Sequence, residues 1–322
     1  MRLHAGKGEQ ARTIMSISAV VSVSLVVLAS AFGPLPDELS GLEAVSQDQG
    51  ALIDAARRLD LQQKSLIEWD RQLIDEHRKA GRRDLASTKE VGIGRRIDLI
   101  RQTWEYVTNL YPNNARAVNY FGEYYYDLGR EENKGLQHWR VAMQLDNKLA
   151  PPHNNLGIHY FHTGDIVMGL EHLQKALELD EENPDYLYNL SQMYLNYFPD
   201  IGKQLGMSKE KLYKEAMEMS KDAAEFAPDE YDFLMDYAVN FYAAENFDIE
   251  PDWEEAARAW QRARPHAPTE IELFYTFLNE GRVWLRSDKA ENAVKPLEEA
   301  VALQPKSDVA AQLLRKARQH SV

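Results

Sequence analysis

Residues 150–183 read APPHNNLGIHYFHTGDIVMGLEHLQKALELDEEN. The stretch divides at Thr163-Gly164-Asp165 into two short helical segments. The first carries Leu156, Gly157 and Tyr160. The second carries Leu170, Leu173, Ala176, Leu177 and Leu179 at i, i+3, i+4 spacing, the apolar face of an amphipathic helix. Gly157 has no side chain, so a second helix can approach closely, and Tyr160 fills the space one turn on. Gly164 permits a tight reversal, and Ala176 is small where the next helix would cross. A helix pair of this size cannot bury its apolar face alone and must stack on copies of itself.

The copies lie on both sides. Residues 115–149 carry Phe121-Gly122, Tyr125 and Gly129, then Gly135, Trp139 and Ala142. Residues 184–230 carry Leu187, Leu190-Ser191 and Tyr194, an expanded turn over Phe198–Lys211, then Ala216, Ser220 and Ala223. Residues 231–270 carry Leu234, Tyr237-Ala238 and Phe241, a shorter insertion over Asn246–Asp252, then Ala256, Trp260 and Ala263. Asp252 followed three residues on by Glu255 has the spacing of a capping box. Residues 271–307 are the most degenerate, with Phe274, Phe277-Leu278, Ala293, Leu297 and Ala300. Gly281 falls there where the other copies have an aromatic residue, which predicts a less regular first helix. Residues 95–114 read as a second helix without a clear first one: Trp104, Val107 and Leu110 answer Trp139, Ala142 and Leu145. Residues 308–320 alternate Leu313 and Leu314 with Arg315, Lys316 and Arg318, the pattern of a polar helix that closes a stack.

The order L-G-x-x-Y, Gly-Asp, A-L-x-L-D, returning with changes from residue 95 to residue 307, resembles the tetratricopeptide (TPR) repeat. The resemblance covers about two thirds of the chain and rests on hydrophobic spacing and small residues. It implies an all-α, right-handed helical solenoid of TPR helix pairs, with a helical extension before it at 34–94 and a capping helix after it. It implies too a non-catalytic scaffold that binds a peptide or helix of a partner protein on the concave face, which the first helices of a TPR stack line. Carried over helix by helix, that face takes Asn119, Glu123 and Tyr126 from the first copy and Asn154, Ile158, Phe161 and His162 from the second. It takes Tyr188, Gln192 and Leu195 from the third, and Met235, Val239 and Tyr242 from the fourth. The set lacks the Lys and Arg of TPR grooves that clamp a terminal carboxylate. The expected ligand is an apolar or amphipathic segment held by aromatic anchors, with Asn and Gln fixing its backbone. The alternative is that these residues pack against inserted segments such as 198–211. The matched aromatic residues, Tyr125, Tyr160, Tyr194, Trp104, Trp139 and Trp260, read as packing.

Composition narrows the classes. The 322 residues are 44% hydrophobic and 10% aromatic, which excludes general disorder. The absence of cysteine excludes disulfides, iron–sulfur clusters, thiolate zinc sites and a cysteine nucleophile. A net charge of −14 argues against nucleic acid as the main partner. The charge is uneven: residues 57–101 carry 12 Lys/Arg against 8 Asp/Glu, and residues 102–322 carry 22 against 37. No nucleophile elbow, Walker loop, His-Glu-x-x-His or EF-hand loop is found, and no cofactor is called for. His159 and His162 have a spacing that would put two imidazoles on one metal, but no third ligand stands at ligand spacing. An enzyme subunit with an unrecognised site and a self-associating stalk remain open beside the scaffold reading.

Residues 1–12 carry Arg2, Lys7 and Arg12, and Thr13–Gly33 carries no charge. This is a basic region followed by an apolar one, with small residues at Ala29-Ser30-Ala31 for cleavage. The apolar run is long for a signal peptide and near the minimum for a spanning helix. Cleavage after Ala31 and retention as a single anchor both put the remaining chain across the membrane, in the periplasm or cell envelope, since basic residues stay cytoplasmic. Gly33–Asp37 breaks the helix. Residues 42–80 are helical again, with Leu52, Leu59, Leu66 and Leu73 every seven residues. The companion positions Ala55, Gln62, Trp69 and Glu76 are only half apolar, so this helix either packs on the first repeat or self-associates. Gly81-Arg82-Arg83 and Val91–Gly94 read as loop, and Gly92-x-Gly94 lacks the strand and third glycine of a phosphate loop.

Overall fold

The computed structural model describes residues 39–287 and 289–320, and every regular element among them is helical. The chain is an all-α repeat of helical hairpins, in two compact units that divide between residues 156 and 157. The expected signal or anchor at 1–33 lies outside the described residues. Among the described residues no helix is long and apolar enough to cross a membrane.

The unit before residue 157 opens with a short α1 (Ser40–Glu43) and a long hairpin of α2 (Gln49–Lys79) and α3 (Arg83–Leu110). Asp48 caps α2 by accepting from the Ala51 N–H at 3.0 Å. Two expectations are corrected here. Val91–Gly94 lies inside α3, not in a loop, and residues 95–114 do have a first helix, α2. Each interior glycine costs a helix about 1 kcal/mol. Contacts with α2 override that cost. Ile100, Trp104 and Val107 of α3 are buried with Leu52, Ile53, Ala56 and Ile67 of α2. Around the glycines, buried Asp70 of α2 takes Lys89 at 2.7 Å and Arg96 at 3.2 Å.

The buried stripe of α2 is not the leucine repeat. It is Ile53, Ala56, Asp60, Gln63, Ile67, Asp70 and Ile74, spaced alternately by three and four residues. Leu59, Leu66 and Leu73 are only half-buried, and Trp69 is 59% exposed. The polar members of the stripe are matched: Asp60 by Arg57 at 3.0 Å and Lys64 at 3.3 Å, Gln63 by Arg96 at 2.9 Å. Lys89 first, with Arg96 beside it, holds the Asp70 carboxyl below the usual carboxylate range despite its burial. A carboxyl whose pKa is lowered by folding adds stability above its unfolded value of about 4 and loses it as pH falls through the folded value. Thermal melts at descending pH should therefore lose stability more steeply below about pH 4 in the native chain than in Asp70→Asn. Parallel curves for the two proteins would contradict this role.

The next hairpin pairs α4 (Ala115–Asp127) with α5 (Glu132–Leu145). A Cβ on Gly122 would stand 2.7 Å from the Trp139 ring, so the two helices cross where the chain has no side chain. Trp104, Trp139 and Trp260 are buried with no hydrogen-bond partner for their indole N–H groups. They act as packing volume, as expected.

The dividing point falls within α6 (Ala150–Thr163), which pairs with α7 (Ile166–Leu179). A Cβ on Gly157 would lie 2.7 Å from Leu173 Cγ. The reversal behaves as read: Gly164 has φ +86° and Asp165 accepts from the Met168 N–H at 3.2 Å. Nothing crowds Gly164, so the cost of a side chain there is purely conformational. Gly164→Val should lower stability by at least about 1–2 kcal/mol in a denaturant melt. An unchanged midpoint would show that the turn does not need its left-handed residue.

The following hairpin pairs α8 (Pro184–Asn196) with α10 (Lys209–Phe226), and Ser191 donates to the Ala216 carbonyl at 2.8 Å at their close approach. The expanded turn between them contains a helix, α9 (Phe198–Leu205), which seats Ile201 in the core. Next, α11 (Tyr231–Asn240) runs into a 3-10 helix at Phe241–Phe247 before α12 (Trp253–Ala263). The two insertions pack together through Phe198 and Phe247, with ring centroids 4.4 Å apart. Asp252 caps α12 by accepting from the Glu255 N–H at 2.9 Å. The Glu255 carboxylate takes Arg258 and Arg262 at 2.8 and 2.9 Å, so the box is half made.

The last hairpin, α13 (Glu270–Trp284) with α14 (Val294–Leu303), departs from expectation. Its first helix is regular over 15 residues. Gly281 is its close-packing residue: a Cβ there would run into Leu297, with the same sixteen-residue separation as Gly157 and Leu173. The repeat position assigned to Leu278 belongs three residues later. The closing helix α15 (Asp308–His320) buries Ala310, Leu314 and Ala317, in agreement with the sequence reading.

Candidate functional site

In the unit before residue 157, the expected groove residues are largely enclosed. Asn119, 1% exposed, donates to Glu123 at 2.9 Å and accepts from Asn155 at 3.4 Å. Glu123 is bound by Arg57 of α2 at 2.8 Å, and the guanidinium lies 4.3 Å from the Tyr120 ring centroid. Burial works against the Arg57 charge, but Glu123 and Asp60 more than offset it and hold its pKa above the ordinary arginine value. Asn154 is buried, and half-buried Tyr126 lies tilted at 4.9 Å against Trp139. The reason is α2. A long first helix, not recognised as such in the sequence, reaches across to the face of α4 opposite its packed side.

In the unit from residue 157, the residues separate into three groups. Phe161 and Leu195 belong to the core. The ring of Phe161 is 1% exposed, and it occupies space left by Gly169, where a Cβ would sit 2.6 Å from Phe161 Cδ2. Tyr197 covers its other side at 5.2 Å. The expected aromatic anchor is thus a core residue, in one cluster with Ile201 of the inserted segment, which is the side of the competing reading. The second group forms a buried polar junction of α8 with α11 and α10. Gln192 donates to Asp236 at 2.9 Å and to Asn240 at 3.3 Å. Asn240 donates to Asp236 at 2.8 Å and to Ser220 at 3.0 Å, and Ser220 donates to Asp236 at 3.2 Å. Tyr188 lines the same junction edge-on to Phe233 at 5.9 Å. Burial first, then Asp236 and Asp232, pushes its phenol up to about 12, so it stays neutral near pH 7.

The third group is accessible. Val239 is 39% exposed, His162 is exposed, and Ile158, Met235 and Tyr242 are half-buried. Tyr242 is flanked by Trp253 at 5.7 Å, and the Arg286 guanidinium stands 5.2 Å from its ring centroid. Asp236, Asn240 and Arg286 escaped sequence reasoning, which takes Ser220 only as a repeat position. Asp236 and Asn240 each follow a groove residue directly, Met235 and Val239, with a polar i, i+4 spacing on α11 that was available as a signal. The lane along α8 and α11 thus carries a hydrogen-bonded network at Asp236 and Asn240, next in sequence to Met235 and Val239. His159 lies edge-on to Tyr160, and no group of three His, Asp or Glu residues gathers to hold a metal among the described residues.

No family model matches the sequence, and no curated protein does. Solved structures align with it as folds. The TPR protein YrrB, described as having an unusual peptide-binding site, is 17% identical, with 66% of this chain and 97% of that one covered and a TM-score of 0.48. The C-terminal part of a TPR repeat-containing protein from Cytophaga hutchinsonii is 14% identical over 86% of this chain and 99% of that one, with a TM-score of 0.48. PilF from Pseudomonas aeruginosa is 13% identical over 79% of this chain and 99% of that one, with a TM-score of 0.47.

Proposed function

We propose that the chain is a non-catalytic scaffold, exported or membrane-anchored, that holds a segment of a partner protein along the α8–α11 lane. The observation that supports this most is the lane itself. Five hydrogen bonds join Gln192, Ser220, Asp236 and Asn240 there. That fixes α8 against α11 and leaves Met235 and Val239 outward as apolar contacts. A rigid face with adjacent apolar side chains suits an apolar or amphipathic helix, which docks by anchors at i, i+3 and i+4. The basic and then uncharged segment at 2–33 supports export or anchorage.

The test is the double change Met235→Ala and Val239→Asp. Val239 is exposed and Met235 is half-buried against the core, so the melt should fall only modestly, while capture of the partner from envelope extracts after crosslinking should fall about tenfold or more, about 1.4 kcal/mol. Undiminished capture by the folded double variant would refute the lane as the binding surface.

A further inference from the structure

We propose that the free end of the α2–α3 hairpin is a docking surface for an anionic phospholipid bilayer. The chain as a whole carries −14, yet from His77 to Arg96 it has seven Lys/Arg against two Asp/Glu, with Asp75 and Glu76 immediately before. Arg78, Lys79, Arg82 and Arg83 surround the reversal at Gly81, whose φ is +72°, and all four are exposed. Arg78 reaches Glu90 at 2.6 Å; Lys79, Arg82 and Arg83 have no ion-pair partner among the described residues.

Helix stability explains only half of this cluster. Arg78 and Lys79 end α2, where cations complement the helix dipole. Arg82 and Arg83 open α3, where the dipole disfavours them. A local rule broken without a local gain points to a function. Exposed apolar side chains lie along the same hairpin: Leu85 at 49%, two residues after Arg83, and farther from the reversal Val91 at 58% and Trp69 at 59%. Of the four cations, only Arg78 joins the pairs that hold the hairpin, Asp70–Lys89, Asp70–Arg96 and Arg78–Glu90, so Lys79, Arg82 and Arg83 do not serve to close it.

Cations beside an exposed leucine suit the boundary between phosphate headgroups and acyl chains. Phosphates at an anionic surface would receive Lys79, Arg82 and Arg83. Leu85, in the first turn of α3, would sit at headgroup depth. A nucleic acid would satisfy the cations but give nothing to Leu85 and Val91.

The chain has no cysteine, so one introduced thiol reports one place. Full-length protein carrying Ala80→Cys, labelled with an environment-sensitive fluorophore, is reconstituted into vesicles of phosphatidylcholine alone or mixed with phosphatidylglycerol. Val309→Cys, exposed on α15, is the reference position. The label at 80 should shift to the blue and be quenched by lipid-borne nitroxides in the anionic vesicles only, and the label at 309 in neither. Changing Lys79, Arg82 and Arg83 to Gln should abolish the response while circular dichroism shows unchanged helix content. Equal signals in the two vesicle types, or equal signals at the two positions, would overturn the proposal. Protection at 80 that rises with protein concentration in neutral vesicles would assign the tip to a second copy of the chain and overturn it too.

Discussion

Replacing Phe161 by alanine should destabilise the protein by about 3–5 kcal/mol, the range for removing a buried phenylalanine from a core. The ring is 1% exposed and sits in a space made by Gly169 on one side and Tyr197 on the other. Truncation would leave a cavity bounded by Leu170, Leu173 and the insertion that carries Ile201. Backbone there cannot follow inward, because Gly157 already holds α6 against Leu173. Phe161→Leu, which keeps most of the volume, should cost less than half as much. A groove-facing ring would behave otherwise: alanine would leave the denaturant midpoint almost in place and weaken only the capture of a partner. The unfolding curves of the two variants separate these outcomes.

Trp104→Ala should cost about as much, about 3–5 kcal/mol, and in a different core. Trp104 is fully buried between α2 and α3, tilted at 5.1 Å against Tyr120 of α4. Its indole N–H has no acceptor, so its contribution comes from volume and ring contact alone. Trp104→Phe should therefore cost well under half the alanine change, since it removes an unsatisfied N–H along with part of the ring. A phenylalanine variant as unstable as the alanine one would show that the N–H, and not the packing, matters. Hydrogen exchange read after each change should locate the loosened amides first in α3 and α4.

Close-packing positions were the most legible part of this fold. Gly157, Gly122 and Ser191 are small because a neighbouring helix crosses there, and local spacing reveals that. Gly164 was legible for a different reason, since the Thr-Gly-Asp turn carries its own left-handed residue and its own cap. Gly281 was misread because Phe277-Leu278 imitates the repeat signature three residues early; only the separation from Leu297 identifies the true crossing. The glycines at 92 and 94 misled because helix propensity counts about 1 kcal/mol each, and the contacts that overrule them come from Asp70, more than twenty residues away. The groove was the least legible part. The repeat pattern tells which side of a first helix is packed on its own partner, but not what long or inserted elements lie on the other side. Arg57 of α2 encloses Glu123, and the α9 insertion encloses Phe161 and Leu195.

The central claim is that the accessible stretch of α11 meets a partner protein. A photo-activated crosslinking amino acid placed at Val239, and separately at Ile271, tests it in cells. Both positions are exposed, Val239 at 39% and Ile271 at 58%, so chance collisions should favour Ile271. The lane reading predicts one discrete adduct of a single partner at Val239 and none at Ile271. No adduct at Val239, or the same set of adducts at both positions, would contradict it.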